Sequence, residues 1–433
     1  MTGLFSGFLA SIVVRGIGAL AALAVNVWFA RLLGVVEYGR YMALLSLALV
    51  LGGLATRGVD QLFTRDMATT AFPESYGSLG LIRWGAMRVL LGVVLATAVF
   101  VGWVAWSRRA DTLSTLLPTL SGGVLVIALF SSVTVLGGAI NGLGASLRSQ
   151  SLALVIQNGA ILFLIGVTVA LTGQVTSADS ALWIQVGAYL VATTIGVSWL
   201  YHILKWRRLA ACKGAPLKAA EGSKEWGRSA NHYLWMTIAA LLVSRVDVVL
   251  IAMLAGDATA GVYAVGARLA QVALMVPLAV NVVLSPRIAT AWRQGEHSVV
   301  RALVRRGLMF TVPLAILEVV TAIVFGRDLV ALFGTQYFAA TTPFVWVTLA
   351  YALWTVVAPG YALLAMSGSE QTVAILSWGI LIANVAAILL LVPRYGATGG
   401  AVAMTVGYGL VIPVVLAVIG RKYEIFRGVS RDQ

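Results

Sequence analysis

Runs of about twenty apolar residues recur from Leu9 to Gly420, separated only by short polar or turn-forming breaks. A helix of that length crosses the ~30 Å hydrocarbon core of a bilayer, where each backbone N–H and C=O has to be satisfied within its own segment. Twelve such runs can be placed, near 9–33, 40–62, 81–106, 119–141, 149–172, 181–204, 232–254, 262–285, 307–326, 342–366, 371–392 and 398–420. Breaks such as Thr172-Gly173-Gln174, Gly256-Asp257 and Pro393-Arg394-Tyr395-Gly396 separate them. Only 11% of the 433 residues are charged and the mean hydropathy is +0.95, against about a quarter charged in soluble domains. Forty-six charged side chains cannot cover a soluble globule of this size, so lipid must be the solvent. A cytosolic enzyme, a nucleic-acid-binding module and a disordered chain are excluded.

The single cysteine, Cys212, leaves no intrachain disulfide, and one Cys with three His (His202, His232, His297) offers no metal-ligand set. The first thirty residues lack a basic segment followed by a small-residue cleavage site. Leu9 onward therefore reads as the first span and not as a removed signal.

With the amino terminus inside, the inner loops and the carboxyl tail hold twenty-one Lys and Arg. The outer side holds six, Arg31, Arg40, Arg108, Arg109, Arg327 and Arg394. The positive-inside rule then places both termini in the cytoplasm. Trp103, Trp106 and Trp183 at outer ends, and Trp199, Trp206 and Trp226 at inner ends, fit aromatic belts. The longest polar stretch, Lys205 to Asn231, lies mid-chain. The expected organisation is a six-helix bundle over 1–204, a cytoplasmic linker over 205–231, a second bundle over 232–420 and a cytoplasmic tail over 421–433. The basic stretch from Arg287 to Arg306 reads as interfacial.

Sliding the sequence by 222 residues superimposes Ala30 on Ala252, Gly34 on Gly256, Gly39 and Tyr41 on Gly261 and Tyr263, and Arg65 on Arg287. Two readings fit: coincidence in an apolar chain, or a duplicated bundle. With an even number of helices per half, the copies would be parallel repeats.

The stretch Trp28-Phe29-Ala30-Arg31-Leu32-Leu33-Gly34 with Tyr38-Gly39-Arg40-Tyr41, then Asp247-Val248-Val249-Leu250-Ile251, Gly261-Val262-Tyr263, Pro286-Arg287-Ile288-Ala289 and Tyr395-Gly396-Ala397 with Gly399-Gly400-Ala401 resembles the polysaccharide-biosynthesis flippases. These are the Wzx-type members of the superfamily that also holds lipid II flippases and MATE drug exporters. The resemblance implies an all-α integral membrane protein with about twelve transmembrane helices in two six-helix bundles, a MATE-like V-shaped transporter. It implies flipping of an undecaprenyl-pyrophosphate-linked oligosaccharide, as in O-antigen synthesis, from the inner to the outer leaflet of the bacterial inner membrane. Membrane lipid, a polysaccharide polymerase and other biosynthesis proteins are the implied partners, with no nucleic acid. Lipid II flippases use arginines on their first, second and eighth helices, and Arg15, Arg57 and Arg268 stand at similar places here.

Charges at membrane depth make a separate argument, because each costs several kcal/mol unless it is paired or faces water. Five stand there: Arg15, Arg245, Asp247, Arg268 and Glu318. Arg15 shares a face with Gly18, Ala19, Ala22 and Asn26, and either contacts pyrophosphate in a cavity or snorkels to inner headgroups. Asp247 and Arg268 lie at equal distances from the turn near Asp257, so a structural salt bridge and a functional role are both open. Arg245, about 200° around a helix from Asp247, faces either cargo or the outer headgroups. Arg57, before Asp60, either joins the cationic site or anchors the inner end. An arginine fork grips phosphate with two bonds and keeps its charge.

Glu318 has no basic neighbour in sequence. It either couples transport to ions, with Asp247 as a rival, or stays a protonated core residue. H⁺ and Na⁺ are equally compatible, and no organic cofactor is expected. Pro277, Pro313, Pro359 and Pro413 either hinge or merely shape their helices. Trp235 and Trp354 either stack on sugars or pack.

Two other classes compete. A polymerase or ligase acting on lipid-linked glycans would need a substantial outer loop and a catalytic constellation, and the sequence shows no HExxH or paired-carboxylate motif. A MATE-like multidrug antiporter would favour a cavity of net negative charge, whereas three arginines against two acids make these embedded charges net positive. The expected protein is thus a flippase and not an enzyme.

Overall fold

The computed structural model describes residues 2–68, 76–107, 112–210, 223–367 and 370–423, and among them the chain is helical with no strand. The order is α1 (Thr2–Ala55), α2 (Val59–Asp66), α3 (Tyr76–Ser107), α4 (Leu113–Gly142), α5 (Ser146–Ser151), α6 (Gln157–Thr172), α7 (Ala178–Ala210), α8 (Ser223–Val243), α9 (Val246–Ala255), α10 (Asp257–Ala270), α11 (Met275–Arg293), α12 (His297–Ala331), α13 (Thr341–Met366) and α14 (Glu370–Tyr423). A π-helical turn, Leu152–Ile156, joins α5 to α6, and a 3₁₀ turn, Gln271–Leu274, joins α10 to α11. Arg108, Arg109, the middle of the expected linker (211–222, with Cys212, Lys213, Lys218 and Glu221) and the end of the tail lie outside the described residues.

Nine helical segments among the described residues are long and apolar enough to cross a membrane. A tenth follows if the bent pair Glu225–Val243 and Val246–Ala255 is one span. Two of the nine, Val13–Ala55 and Gln371–Gly420, have 43 and 50 residues. At 1.5 Å per residue these reach roughly 65 and 75 Å, about twice the ~30 Å core, so each makes two passes. Both are broken by one glycine with non-helical backbone, Gly34 (φ 73°, ψ 177°) and Gly396 (φ 54°, ψ −131°). With the bent pair counted as one span, the described residues give the expected twelve passes. The expected interruption over residues 34–39 contracts to a single residue, because a glycine can redirect the chain without leaving a helix end unpaired.

The chain divides into two compact units, Met1–Val249 and Leu250–Gln433. In the first, helices approach through small residues, as expected where lipid supplies no hydrophobic drive between them. A Cβ on Gly92 would stand 2.2 Å from the Ala55 carbonyl oxygen, and one on Gly123 would stand 2.1 Å from the Phe100 ring. The Ser131 hydroxyl lies within hydrogen-bond reach of the carbonyls of Gly52 and Ile127, and Tyr41 donates to Gln185 across a buried polar seam. Short α2 anchors the unit, with Val59, Leu62, Phe63 and Met67 buried against Leu81, Ala139, Leu143 and Ala230.

In the second unit α13 is the central helix, packed against α10, α11, α12 and α14. Gly266 lies against the Phe344 backbone and Gly307 against Pro359, while Thr405 donates to the Trp346 carbonyl. Trp354 stands edge-on to Tyr361 and Tyr408, 4.8 and 5.7 Å between ring centres, which is a packing role. Trp235 is exposed.

The 222-residue offset acquires a backbone signature. Gly34 (φ 73°, ψ 177°) and Gly256 (φ 84°, ψ 168°) adopt the same conformation, one essentially restricted to glycine, and the aligned Tyr41 and Tyr263 are both buried. Chance identity at a glycine does not require a shared forbidden conformation, so duplication is the better explanation. Gly34→Ala, with open space around its Cβ, tests the conformation alone. A loss of about 1–3 kcal/mol is expected, read as a lower thermal midpoint in detergent.

Of the two readings of the prolines, the shaping one fits the helices better. Pro277 is the third residue of α11, where its missing N–H costs nothing, and the breaks inside α1 and α14 fall at Gly34 and Gly396. Pro313, Pro359 and Pro413 sit inside continuous helices.

Candidate functional site

Arg15 lies on α1, half-buried, and its Nε donates to the Gln150 side-chain oxygen at 3.1 Å. The Ser11 hydroxyl donates to the same oxygen at 2.7 Å. Gly18 lets the helices close to this distance, since its Cβ would stand 2.6 Å from the Leu154 Cβ. Leu154 belongs to the π-helical turn, whose extra residue per turn shifts the register between Gln150 and Asn158. The small-residue stripe of α1 is therefore a close helix contact here. Arg15 is held by a neutral amide, and among the described residues its two terminal nitrogens have no hydrogen-bond partner, so the fork is open to an anion. Asn26, at the far end of the stripe, accepts from Tyr38 beyond the Gly34 break.

Arg57 occupies the turn between α1 and α2, outside the regular span, which ends at Ala55. It is the one described non-glycine residue with positive φ, 50°, and Gly58 follows at 77°. Such a residue costs free energy and marks a packing or functional constraint. The constraint is visible: a Cβ on Gly58 would stand 2.1 Å from the Ala230 carbonyl oxygen, so α8 lies directly on this turn.

Arg88, on α3, is near enough to Arg57 for the two charges to repel. Its Nη2 donates to Asn231 on α8, its guanidinium lies 5.2 Å over the Trp84 ring, and its Nε is buried without a partner among the described residues. Trp226 packs 5.9 Å from Trp84. The nearest acid in sequence, Asp60, is engaged by the Thr56 hydroxyl (3.1 Å) and the Gln61 amide (3.3 Å) and not by either arginine. Two cations thus lie near one another, beside a neutral amide and aromatic rings, with no ion-paired acid among the described residues. That is a site for an anion.

Arg88 is the residue that sequence reasoning missed. By position it counts among the inner-loop charges, and only its neighbours in the α1–α2 turn and on α8 distinguish it from an anchor.

Burial pushes the Asp60 carboxyl above its ordinary 3.8 despite its hydrogen bonds. The folded protein therefore binds that proton more tightly than the unfolded chain, and stability declines as pH rises through the window above 3.8. Asp60→Asn should gain in thermal midpoint over wild type as pH is raised from about 4 to about 7; an unchanged gap would show that its burial costs nothing.

Arg245 and Asp247 are not on one regular helix. The chain breaks at Ser244-Arg245, with 47° between the flanking helices, so the helical-wheel separation of about 200° does not apply. Arg245 lies within electrostatic reach of Tyr189. Asp247 is buried, and its Oδ1 accepts the Val248 N–H at 2.8 Å in the first turn of α9.

In the second unit Arg268 is buried on α10, 9% exposed, with no acid of its own unit within salt-bridge distance among the described residues. Glu318, on α12, lies 3.5 Å from the Thr355 hydroxyl on α13. Its other carboxyl oxygen is buried without a partner among the described residues. No group of His, Cys, Asp or Glu among the described residues could hold a metal ion.

The fold is similar to those of solved membrane transport proteins. It is similar to the lipid II flippase MurJ in an inward closed conformation (12% identity, TM-score 0.70, 95% of this chain and 87% of that one). It is also similar to an inward-facing multidrug resistance MATE family transporter (14%, 0.65, 98% and 95%) and to a mutant of the Vibrio cholerae MATE transporter VcmN (16%, 0.61, 98% and 100%). No curated protein matches the chain. The chain belongs to the polysaccharide biosynthesis protein family, which it matches over residues 4–292.

Proposed function

We propose that this protein is a flippase that carries an undecaprenyl-pyrophosphate-linked oligosaccharide from the inner to the outer leaflet of a bacterial inner membrane by alternating access. The observation that carries the reading is the arginine set. In the first unit Arg15 is held by a neutral glutamine, and Arg57 and Arg88 lie near enough to repel, with no ion-paired acid among the described residues; in the second unit Arg268 is buried. In the first unit, guanidinium groups with no ion-paired acid among the described residues favour a diphosphate and disfavour an organic cation. Arg245, on the helix break, already lies within electrostatic reach of Tyr189 and stands apart from this set. Both termini lie in the cytoplasm under the positive-inside rule, which puts Arg57 and Arg88 at the side from which the cargo is taken.

The test is leaflet translocation in proteoliposomes, with undecaprenyl-pyrophosphate glycan as cargo, a lectin reading outward-facing sugar, and organic cation efflux measured in parallel. Glycan movement that fails in Arg15→Ala supports the reading. Cation efflux without glycan movement would transfer the protein to the drug exporters, whose fold it shares.

Glu318 is the proposed coupling residue, taking up a proton. The single Thr355 hydroxyl proton is better placed toward the Tyr351 carbonyl, at 3.0 Å, than toward Glu318 at 3.5 Å. This leaves the Thr355 oxygen free to accept from a protonated Glu318. Glu318→Gln should abolish the pH dependence of glycan movement, and an unchanged profile would reject coupling at this position. A second test exchanges the residues at Asp247 and Arg268: folded protein that has lost transport would give one of them a cargo or coupling role.

A further inference from the structure

Between α11 and α12 the second unit holds a cavity of about 490 Å³ lined by eleven residues, of which only Arg287 and Arg306 are polar. The lining follows one face of each helix. From α11 come Met275, Val280 and Leu284, and from α12 Phe310 and Leu314, with Gly307 as the floor where a Cβ would meet Leu284 and Pro359. Because the two helices run antiparallel from the Gly295 turn, Arg287 and Arg306 lie at the end nearest that turn, and Met275 and Leu314 lie at the far end. The apolar stretch from Arg287 to Met275 is twelve residues, roughly 18 Å along a helix, slightly more than one leaflet of the ~30 Å hydrocarbon core. Phe310 is 62% exposed, so the groove opens sideways.

We infer that this groove is a binding site for an anionic phospholipid, with its phosphate on Arg287 and Arg306 and one acyl chain along α11 and α12. The charges decide the headgroup: two exposed guanidinium groups sit at one end and no acid lines the cavity. The basic turn lies on the side where anionic inner-leaflet lipids are found, under the orientation proposed above, and basic pockets between transmembrane helices take such headgroups. The length decides the chain, since one leaflet of depth suits an acyl chain, whereas a polyprenyl cargo tail is several times longer.

The experiment uses the full-length protein in nanodiscs with a phosphatidylglycerol carrying a diazirine near the acyl terminus, followed by peptide mapping. A phosphatidylcholine with the same chain serves as the reference. Labelling should concentrate on residues 275–284 and 307–314, roughly tenfold above the choline lipid. It should fall to the choline level in Arg287→Gln/Arg306→Gln, a surface double variant whose thermal midpoint in detergent without added lipid should match wild type. Leu303→Trp, which fills the groove while keeping both charges, should also lose the label. Equal labelling by both lipids, labelling spread evenly over exposed helix faces, or retention in the double variant would overturn the site. Loss of the label to undecaprenyl phosphate and not to excess phosphatidylglycerol would overturn it in favour of the cargo tail. None of these readouts depends on transport, so the flippase reading and this one fail separately.

Discussion

Gly58→Ala is expected to remove most folded protein, with a cost of about 3–5 kcal/mol. Two independent penalties meet at this residue. Its φ of 77° is one that L side chains rarely adopt, and its new Cβ would overlap the Ala230 carbonyl at 2.1 Å. The obstacle is backbone inside a buried cluster of Val59, Leu62, Phe63 and Ala230, so no flexible side chain can move aside. Two companions separate the causes. Gly144→Ala carries the same backbone sign (φ 83°) with open space, and should lose only about 1 kcal/mol. Gly102→Ala is helical with open space, and should be neutral or gain up to about 1 kcal/mol from helix propensity. Thermal midpoints in detergent should therefore rank Gly102→Ala, Gly144→Ala, Gly58→Ala from highest to lowest. A Gly58→Ala protein as stable as Gly144→Ala would mean that α8 does not lie on this turn.

The second large effect concerns Arg57. Arg57→Gly should lower glycan translocation by ten- to a hundredfold, since a charge-assisted bond to phosphate contributes about 1.5–3 kcal/mol. At the same time it should leave the protein as stable or more so, because glycine relieves the positive φ and the repulsion with Arg88. That opposition distinguishes a binding residue from a structural one, which would lose both. Arg88→Gln should give a similar loss of transport, and the double variant should lose little more than either single, as expected when two groups grip one diphosphate. Transport at wild-type rate in Arg57→Gly would remove this pair from the cargo path.

The parts of this molecule legible in its residues are those governed by the solvent and by local geometry. The spans follow from run length, because lipid leaves a backbone no alternative to a helix. The duplication was visible as five matched residues, and its meaning came from one of them, since Gly34 and Gly256 share a backbone that only glycine adopts freely. Less legible were sites built from distant segments. Arg15 meets Gln150 across 135 positions and Arg88 meets Asn231 across 143, and no periodicity within either helix reports those meetings. Helical spacing also misled where the helix itself stops, at Ser244-Arg245 between Arg245 and Asp247.

The amino-acid order by itself thus determined the environment, the number of passes, the redirecting glycines and the presence of embedded charges, since each follows from the free energy of one segment in lipid. Tertiary structure alone decided which charges are partnered. It gave Arg15 a neutral amide, set Arg57 against Arg88 and placed Arg287 and Arg306 at one end of an apolar groove. Such pairings depend on where separate helices come together, and that is set by small-residue packing summed over many contacts and not by any single run of sequence.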